Sequence, residues 1–103
     1  MMEETSHTLE EKIVAKESVL LNFYSENCGA CKMLAFILED VRESSDQPLD
    51  IVEINYQEHE ELIETFQVTG YPTLIHLKKG QEVSRREGLV QKTGIIKMIE
   101  EQR

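Results

Sequence analysis

The segment that decides the fold is Val19–Val41, with the sequence VLLNFYSENCGACKMLAFILEDV. It contains the only two cysteines of the chain, Cys28 and Cys31, in a CxxC arrangement. The apolar run 19–24 predicts a strand covered on both faces, and the apolar spacing after the cysteines predicts a helix. The first thiol then lies at a helix N-terminus, where unpaired N–H groups and the helix dipole favour a thiolate. The second thiol follows one turn later, close enough to form a disulfide.

The context of the two cysteines favours redox chemistry over a structural role. The N-terminal residues, MMEETSHTLEEK, are acidic and polar and show no apolar signal-peptide core, so we expect a cytoplasmic protein. Cysteines in such a chain are more often reactive or metal-binding than structural. A zinc site needs about four ligands, and the remaining candidates, His7, His59 and His76, have no recognisable spacing. Half of a metal site and an inactive pair remain as alternatives.

Composition limits the class of protein and its partners. The chain has 103 residues, enough for one domain over 1–103, with residues 1–7 frayed or forming a short edge strand. Hydrophobic residues make up 40% and charged residues 30%, as in ordinary globular proteins. The net charge of −9 argues against nucleic acid or an anionic membrane as a partner. No apolar run reaches the roughly 18 residues of a membrane-spanning helix.

The rest of the chain alternates helical and strand patterns. Thr8 is a candidate cap of a first helix, strands are predicted at 51–55 and 73–77, and a helix is predicted at 58–66. Lys78–Gln81 forms a predicted hairpin turn into a strand at 82–87, and an amphipathic helix begins near Gln91. This order predicts an α/β fold with a mixed sheet of four to five strands flanked by helices on both faces.

With this order, the sequence resembles the thioredoxin family over nearly its whole length. The resemblance is carried by the Val19–Val41 segment, by IVEIN at 51–55, and by FQVTGYPTLIHLKKGQEVSRREG at 66–88. It implies the thioredoxin fold, with Cys28 as the exposed nucleophile and Cys31 as the resolving thiol. It also implies that Pro72 is a cis-proline, whose bond turns the Tyr71 backbone outward to pair with an extended substrate.

The active-site segment departs from the family pattern at three positions. Asn27 replaces the family's tryptophan before the first cysteine, which reduces the apolar area for substrate binding. Between the cysteines, Gly29 is followed by Ala30 where the family has proline, and this change is expected to alter the reduction potential. Phe36 replaces a proline that kinks the family's long helix.

A paired departure affects the resolving cysteine. Asn22 stands where the family has a buried aspartate, and Glu53 stands where the family has its lysine partner. We expect Glu53 to point inward beneath Cys31, to accept a hydrogen bond from Asn22, and to act as the general base for Cys31. The alternatives are that Asn22 is an ordinary strand amide that only tunes the site and that Glu53 faces solvent.

The function predicted from these residues is a thiol–disulfide oxidoreductase that reduces protein or small-molecule disulfides through Cys28 and Cys31. An oxidant or isomerase of the same fold, and a redox-sensing binding module, are the alternatives. The expected partners are disulfide-containing proteins and an electron donor of the thioredoxin-reductase type. We expect a monomer that needs no cofactor and no metal.

Overall fold

The computed structural model describes residues 6–45 and 49–102. In these ranges the helices and strands follow one another in this order: α1 (Ser6–Val14), β1 (Ser18–Tyr24), α2 (Gly29–Ser44), β2 (Asp50–Asn55), α3 (Glu60–Thr65), β3 (Thr73–Lys78), β4 (Gln81–Glu87) and α4 (Lys92–Glu100). The predicted order of elements from β1 onwards is confirmed.

The start of α1 differs from the sequence prediction. Residues 1–5 of the segment predicted to be frayed or an edge strand lie outside the described residues. Ser6 and His7, however, already belong to α1, which therefore begins before the predicted cap at Thr8. A tertiary contact accounts for the earlier start, because the Ser6 hydroxyl lies 3.0 Å from Nδ1 of His59, the residue that precedes α3.

The strands form one mixed sheet in the order β2-β1-β3-β4. β1 pairs with β2 in parallel, and the other two pairings are antiparallel. β1 is therefore an internal strand, and its five central residues are all buried, as the apolar run predicted. The β3–β4 hairpin turns at Lys79 and Gly80, whose φ values of 51° and 81° both lie in the left-handed region. Such values favour glycine at Gly80.

The two faces of the sheet carry separate apolar cores, because successive strand side chains point to opposite faces. One core joins β1 to α1 and α3, and its members include Ile13, Phe23, Leu62 and Ile75. The other joins β1 and β3 to α2 and α4, and its members include Leu20, Leu34, Leu74 and Met98. The predicted mixed sheet with helices on both faces is confirmed. None of the described helices has the length and apolar character that a bilayer span requires.

His76, one of the three histidines weighed as metal ligands, is deeply buried in β3. Only 1% of the residue is exposed. Its Nε2 lies 2.9 Å from the Ser18 hydroxyl, whereas its Nδ1 has no hydrogen-bond partner. Burial lowers the pKa of His76 from its ordinary value of 6.5, and the positive charge of Lys78 lowers it further.

This lowered pKa predicts that the protein loses stability as the pH falls below about 6.5. In that range His76 of the unfolded chain binds a proton that the folded chain does not take up until its own, lower pKa is reached. The free energy of unfolding therefore increases with pH through this window and becomes independent of His76 above it. His76→Gln, which cannot titrate, should show a smaller increase between about pH 5 and about pH 8 in urea denaturation. Parallel curves for the two proteins would contradict the prediction.

Candidate active site

Cys28 caps the N-terminus of α2, as the sequence predicted. Its backbone is extended, with φ −135° and ψ 110°, and α2 begins at the next residue. Its Sγ accepts a hydrogen bond of 3.0 Å from the backbone N–H of Cys31. The sulfur thus accepts a hydrogen bond from one of the N–H groups that a helix start leaves unpaired. This hydrogen bond stabilises a negative charge on the sulfur.

Cys28 and Cys31 are joined by a disulfide, with their Cα atoms 5.2 Å apart. The two residues differ in accessibility, since Cys28 is half-buried whereas only 3% of Cys31 is exposed. A substrate sulfur can therefore approach Cys28 from solvent but not Cys31. This asymmetry agrees with an attacking first cysteine and a shielded second one.

The loop that leads from β1 to Cys28 is held by the neighbouring loop after β2. The Asn55 amide donates a hydrogen bond of 3.0 Å to Oε1 of Glu26, and the Gln57 amide donates one of 2.8 Å to the Ser25 hydroxyl. Sequence analysis missed these residues. The sequence could have indicated them, because polar residues that follow two adjacent parallel strands meet at the same edge of a sheet.

A cavity of about 250 Å³ lies beside the buried cysteine. It is lined by side chains from β1, β2, the first turns of α2 and the loop between β1 and α2: Asn22, Tyr24, Ser25, Glu26, Cys31, Lys32, Ala35 and Glu53. Cys31 therefore borders a space that polar and charged residues of β1 and β2 also line. Asn22, Cys31 and Glu53 are all among its lining residues.

The expected burial of Glu53 is wrong. Glu53 lies opposite Asn22 in the parallel pairing of β2 with β1, so both side chains face the cavity. Glu53 is nevertheless exposed, because β2 is an edge strand of the sheet. The predicted hydrogen bond between the two side chains is not among those of the described residues. Asn22 is 1% exposed, and its Oδ1 has no hydrogen-bond partner.

Negative charge is concentrated at the open side of this cavity. Burial raises the pKa of Tyr24 above its ordinary value of 10.0, and three neighbouring carboxylates raise it further: Glu53, Glu58 and Glu26. A hydrogen bond with Asn55 acts in the opposite direction. The Tyr24 phenol therefore stays neutral over the range in which thiols ionise.

Tyr71 and Pro72 lie at the same end of the sheet as the disulfide. Thr73 at the start of β3 pairs with Phe23 near the end of β1, which places the preceding residues beside the Cys28 loop. The Tyr71–Pro72 peptide bond is cis. Pro72 is buried, whereas Tyr71 is 45% exposed and packs against the Tyr56 ring, with the centroids 5.0 Å apart and the planes at 67°.

The remaining predicted site residues lie on the surface around the disulfide. Asn27, Gly29 and Ala30 are all exposed. A Cβ atom added to Gly29 would meet no atom within 4 Å, so space does not require glycine there. With Phe36 in place of a helix-kinking proline, α2 runs without interruption over 16 residues. No cluster of three or more potential metal-ligating side chains occurs in the described ranges 6–45 and 49–102.

Comparisons with known proteins agree with this site. A family model described as Thioredoxin matches residues 1–101. A thioredoxin from Chlamydia caviae is 38% identical over 86 residues, which cover 84% of this chain and 83% of the relative. A thioredoxin-like protein from Synechocystis is 35% identical over 82 residues, which cover 80% of this chain and 78% of the relative.

A solved structure supports the same assignment. A mutant thioredoxin from Halobacterium salinarum superposes on this chain with a TM-score of 0.81 at 28% identity, covering 92% of this chain and 82% of that one. The mixed sheet and the flanking helices are thus those of the thioredoxin fold, and the paired cysteines occupy a helix start suited to thiolate chemistry. The chain therefore belongs to the thioredoxin family, and it is a thiol–disulfide oxidoreductase.

Proposed function

We propose that this protein works as a reductase of protein and small-molecule disulfides, with Cys28 as the nucleophile. The Cys28 thiolate attacks one sulfur of the substrate disulfide, forms a mixed disulfide and releases the other substrate sulfur as a thiolate. Cys31 then loses its proton and attacks Sγ of Cys28. The substrate leaves as a dithiol, and the protein is left with the Cys28–Cys31 disulfide, which an external dithiol or reductase must reduce again.

The observation that carries this proposal is the difference between the two cysteines. Cys28 is accessible, and its sulfur accepts a hydrogen bond from the Cys31 N–H at the start of α2. Cys31, by contrast, is buried. A thiol at a helix N-terminus is more acidic than a free thiol, so more of it is present near neutral pH as the reactive thiolate. The second thiol is protected from solvent but remains within reach of the first.

Turnover and thiol labelling test the proposal together. The protein should reduce oxidised glutathione and insulin disulfides when dithiothreitol supplies the electrons. In the fully reduced protein, brief alkylation near neutral pH should modify Cys28 before Cys31, as peptide mass mapping would show. A protein that accelerates neither reduction is not a reductase, and preferential alkylation of Cys31 would reverse the two roles.

Around the cysteines, we assign supporting roles to two groups of residues. Tyr71, Pro72 and Asn27 form the substrate-binding group, because they lie at the end of the sheet that carries the disulfide. Gly29, Ala30 and Asn22 form the redox-tuning group, because they lie between or directly beside the cysteines. Equilibration of the protein with glutathione buffers would give the potential that this second group sets and would separate a reductase from an oxidant or isomerase.

Glu53 is proposed as the general base that takes the proton from Cys31. Glu53 lines the same cavity as Cys31, and its exposure to solvent lets it pass the proton on to water. An exposed base acts across the cavity rather than from beneath the sulfur, so a water molecule between the two groups completes the proton path.

Glu53→Gln should therefore slow resolution of the mixed disulfide about a hundredfold near neutral pH, which is the lower end of the effects known for general bases. The substitution keeps the shape of the side chain and removes its basicity. The measurement follows release of thionitrobenzoate from a Cys28 mixed disulfide in a single turnover. Glu26→Gln is the matched control, because Glu26 lines the same cavity but accepts a hydrogen bond from Asn55. Equal rates for the parent and Glu53→Gln would remove Glu53 from the mechanism.

Domain organisation and cellular context complete the proposal. We take residues 1–103 as one domain that acts as a monomer in the cytoplasm and receives electrons from a thioredoxin-reductase-type donor. The match of one family model over residues 1–101 supports the single domain.

A further inference from the structure

Two large apolar side chains on α2 are strongly exposed without a structural reason. Phe36 is 78% exposed and Met33 is 58% exposed, the highest values among the large apolar residues of the described ranges. Neither contributes to the core between α2 and the sheet, which Leu34, Leu38 and Val41 supply. An exposed phenylalanine is unfavourable in water and adds nothing to this fold, so its position suggests a contact with another molecule.

Met33 and Phe36 lie in a row along α2 that begins next to the disulfide. At 3.6 residues per turn, Gly29, Met33 and Phe36 fall within about 60° of one another around the helix axis, and Phe36 lies about 10 Å along the axis from Gly29. Gly29 directly follows Cys28 and is exposed. Met33 and Phe36, here called the α2 ridge, therefore continue the surface at which a substrate meets Cys28.

Other exposed apolar residues are found around the same end of the molecule. Tyr71 is 45% exposed and Leu89 is 40% exposed. Their segments are joined, because the Gly88 N–H donates a hydrogen bond of 2.8 Å to the Pro72 carbonyl. The fifth such residue, Val14, is 42% exposed but lies against Gly80 in the β3–β4 turn, at the opposite end of the sheet. Exposed apolar side chains thus concentrate around the disulfide rather than being scattered.

The carboxylates nearest to the α2 ridge are paired within the chain. One turn beyond Phe36 the helix carries Glu39 and Asp40. Arg42 lies 2.9 Å from the Glu39 carboxylate, and Lys92 lies 3.2 Å from the Asp40 carboxylate. An apolar partner surface can therefore approach Phe36 without facing an unpaired carboxylate on that side.

We propose that the α2 ridge binds an apolar surface of the protein that presents its disulfide to Cys28. This inference rests on the oxidoreductase function and extends it to the choice of substrate, favouring proteins over small disulfides. A small polar disulfide such as oxidised glutathione has little apolar surface with which to cover Met33 and Phe36, whereas an ordinary protein interface of about 800 Å² per partner covers the roughly 10 Å from Gly29 to Phe36. A second copy of the chain is not the occupant, because two side chains supply only a fraction of the area that a stable dimer buries, whereas a transient substrate complex is also held by its mixed disulfide with Cys28.

The test compares a protein substrate with a small one. Removing both apolar side chains in Met33→Ser/Phe36→Ser should raise the KM for insulin disulfides about tenfold, as expected for the loss of an apolar anchor. The kcat for insulin and the kcat/KM for oxidised glutathione should stay within about twofold of the parent, since the cysteines are untouched. Val14→Ser removes an exposed apolar side chain far from the disulfide and should leave both substrates unaffected. Phe36→Leu should retain most of the affinity for insulin.

Each other outcome overturns the inference. An unchanged KM for insulin would show that the α2 ridge does not bind the protein substrate. An equal loss with both substrates would indicate a disturbed disulfide instead. A parent protein that sediments as a dimer and a double variant that sediments as a monomer would identify the α2 ridge as a self-association surface. If the parent reduces neither substrate, the reductase function itself fails, and that result is distinct from a loss confined to insulin.

Discussion

Replacing Cys31 with serine is expected to leave a protein that attacks a disulfide once and then stops. Cys28 keeps its position at the start of α2 and its hydrogen bond from the backbone N–H of residue 31, so the first step is preserved. The serine hydroxyl is not acidic enough to displace the substrate sulfur from Cys28. Steady-state disulfide reduction should fall by at least about four orders of magnitude, as it does when one member of a catalytic unit is removed. Mass spectrometry should find the substrate bound to Cys28.

Cys28→Ser provides the matched comparison. The remaining thiol, Cys31, is 3% exposed, so it should form few mixed disulfides with a protein substrate. Both variants should unfold cooperatively in urea, which shows that the loss of turnover is chemical. Abundant substrate adducts on Cys31 in Cys28→Ser would contradict the assignment of the two cysteines.

Much of this fold could be predicted because its strongest patterns are local. An apolar strand that leads into CxxC and then into a helical apolar pattern fixes the order β1, active-site turn, α2, and the structure agrees with it. The hairpin could be predicted equally well, because Lys79 and Gly80 form a two-residue turn with positive φ at both positions. These features depend on residues that are close in sequence.

The environment of Glu53 could be predicted only in part. Its pairing opposite Asn22 follows from the parallel arrangement of β1 and β2. Its exposure depends on the strand order, which places β2 at the edge of the sheet. No pattern within IVEIN distinguishes an edge strand from an internal one, because its apolar residues pack on both faces of the sheet, Val52 and Ile54 on one and Ile51 on the other.

Long-range hydrogen bonds were missed for the same reason. Asn55 and Gln57 hold the loop before Cys28 through side chains about 30 positions away in sequence. His76 is buried against Ser18 across a separation of 58 residues. In each case the sequence gives a polar residue at the end of a strand or within one, and only the packed sheet identifies its partner.

Truncation of Phe23 is expected to have the largest effect on stability. Phe23 belongs to the internal strand β1 and is fully buried, and its ring centroid lies 6.1 Å from that of Phe66. Phe23→Ala removes this ring from a core shared with α1 and α3, to which Ile13 and Leu62 contribute. Such truncations reduce the free energy of unfolding by about 3–5 kcal/mol, through lost burial and the cavity left behind. This is a large fraction of the roughly 5–15 kcal/mol that stabilises a typical domain. Urea denaturation of the disulfide form should show the decrease.

The same chemical change at Phe36 is the control. Phe36 is 78% exposed, so Phe36→Ala should change the free energy of unfolding by less than about 0.5 kcal/mol. A loss below about 1 kcal/mol for Phe23→Ala would mean that the core around β1 closes over the missing ring, contrary to the usual behaviour of close-packed interiors. A large loss for Phe36→Ala would show that its ring supports the fold, which would remove the reason for assigning it to substrate binding. Together, the two variants separate an aromatic ring that holds the sheet from one that is free to contact a partner.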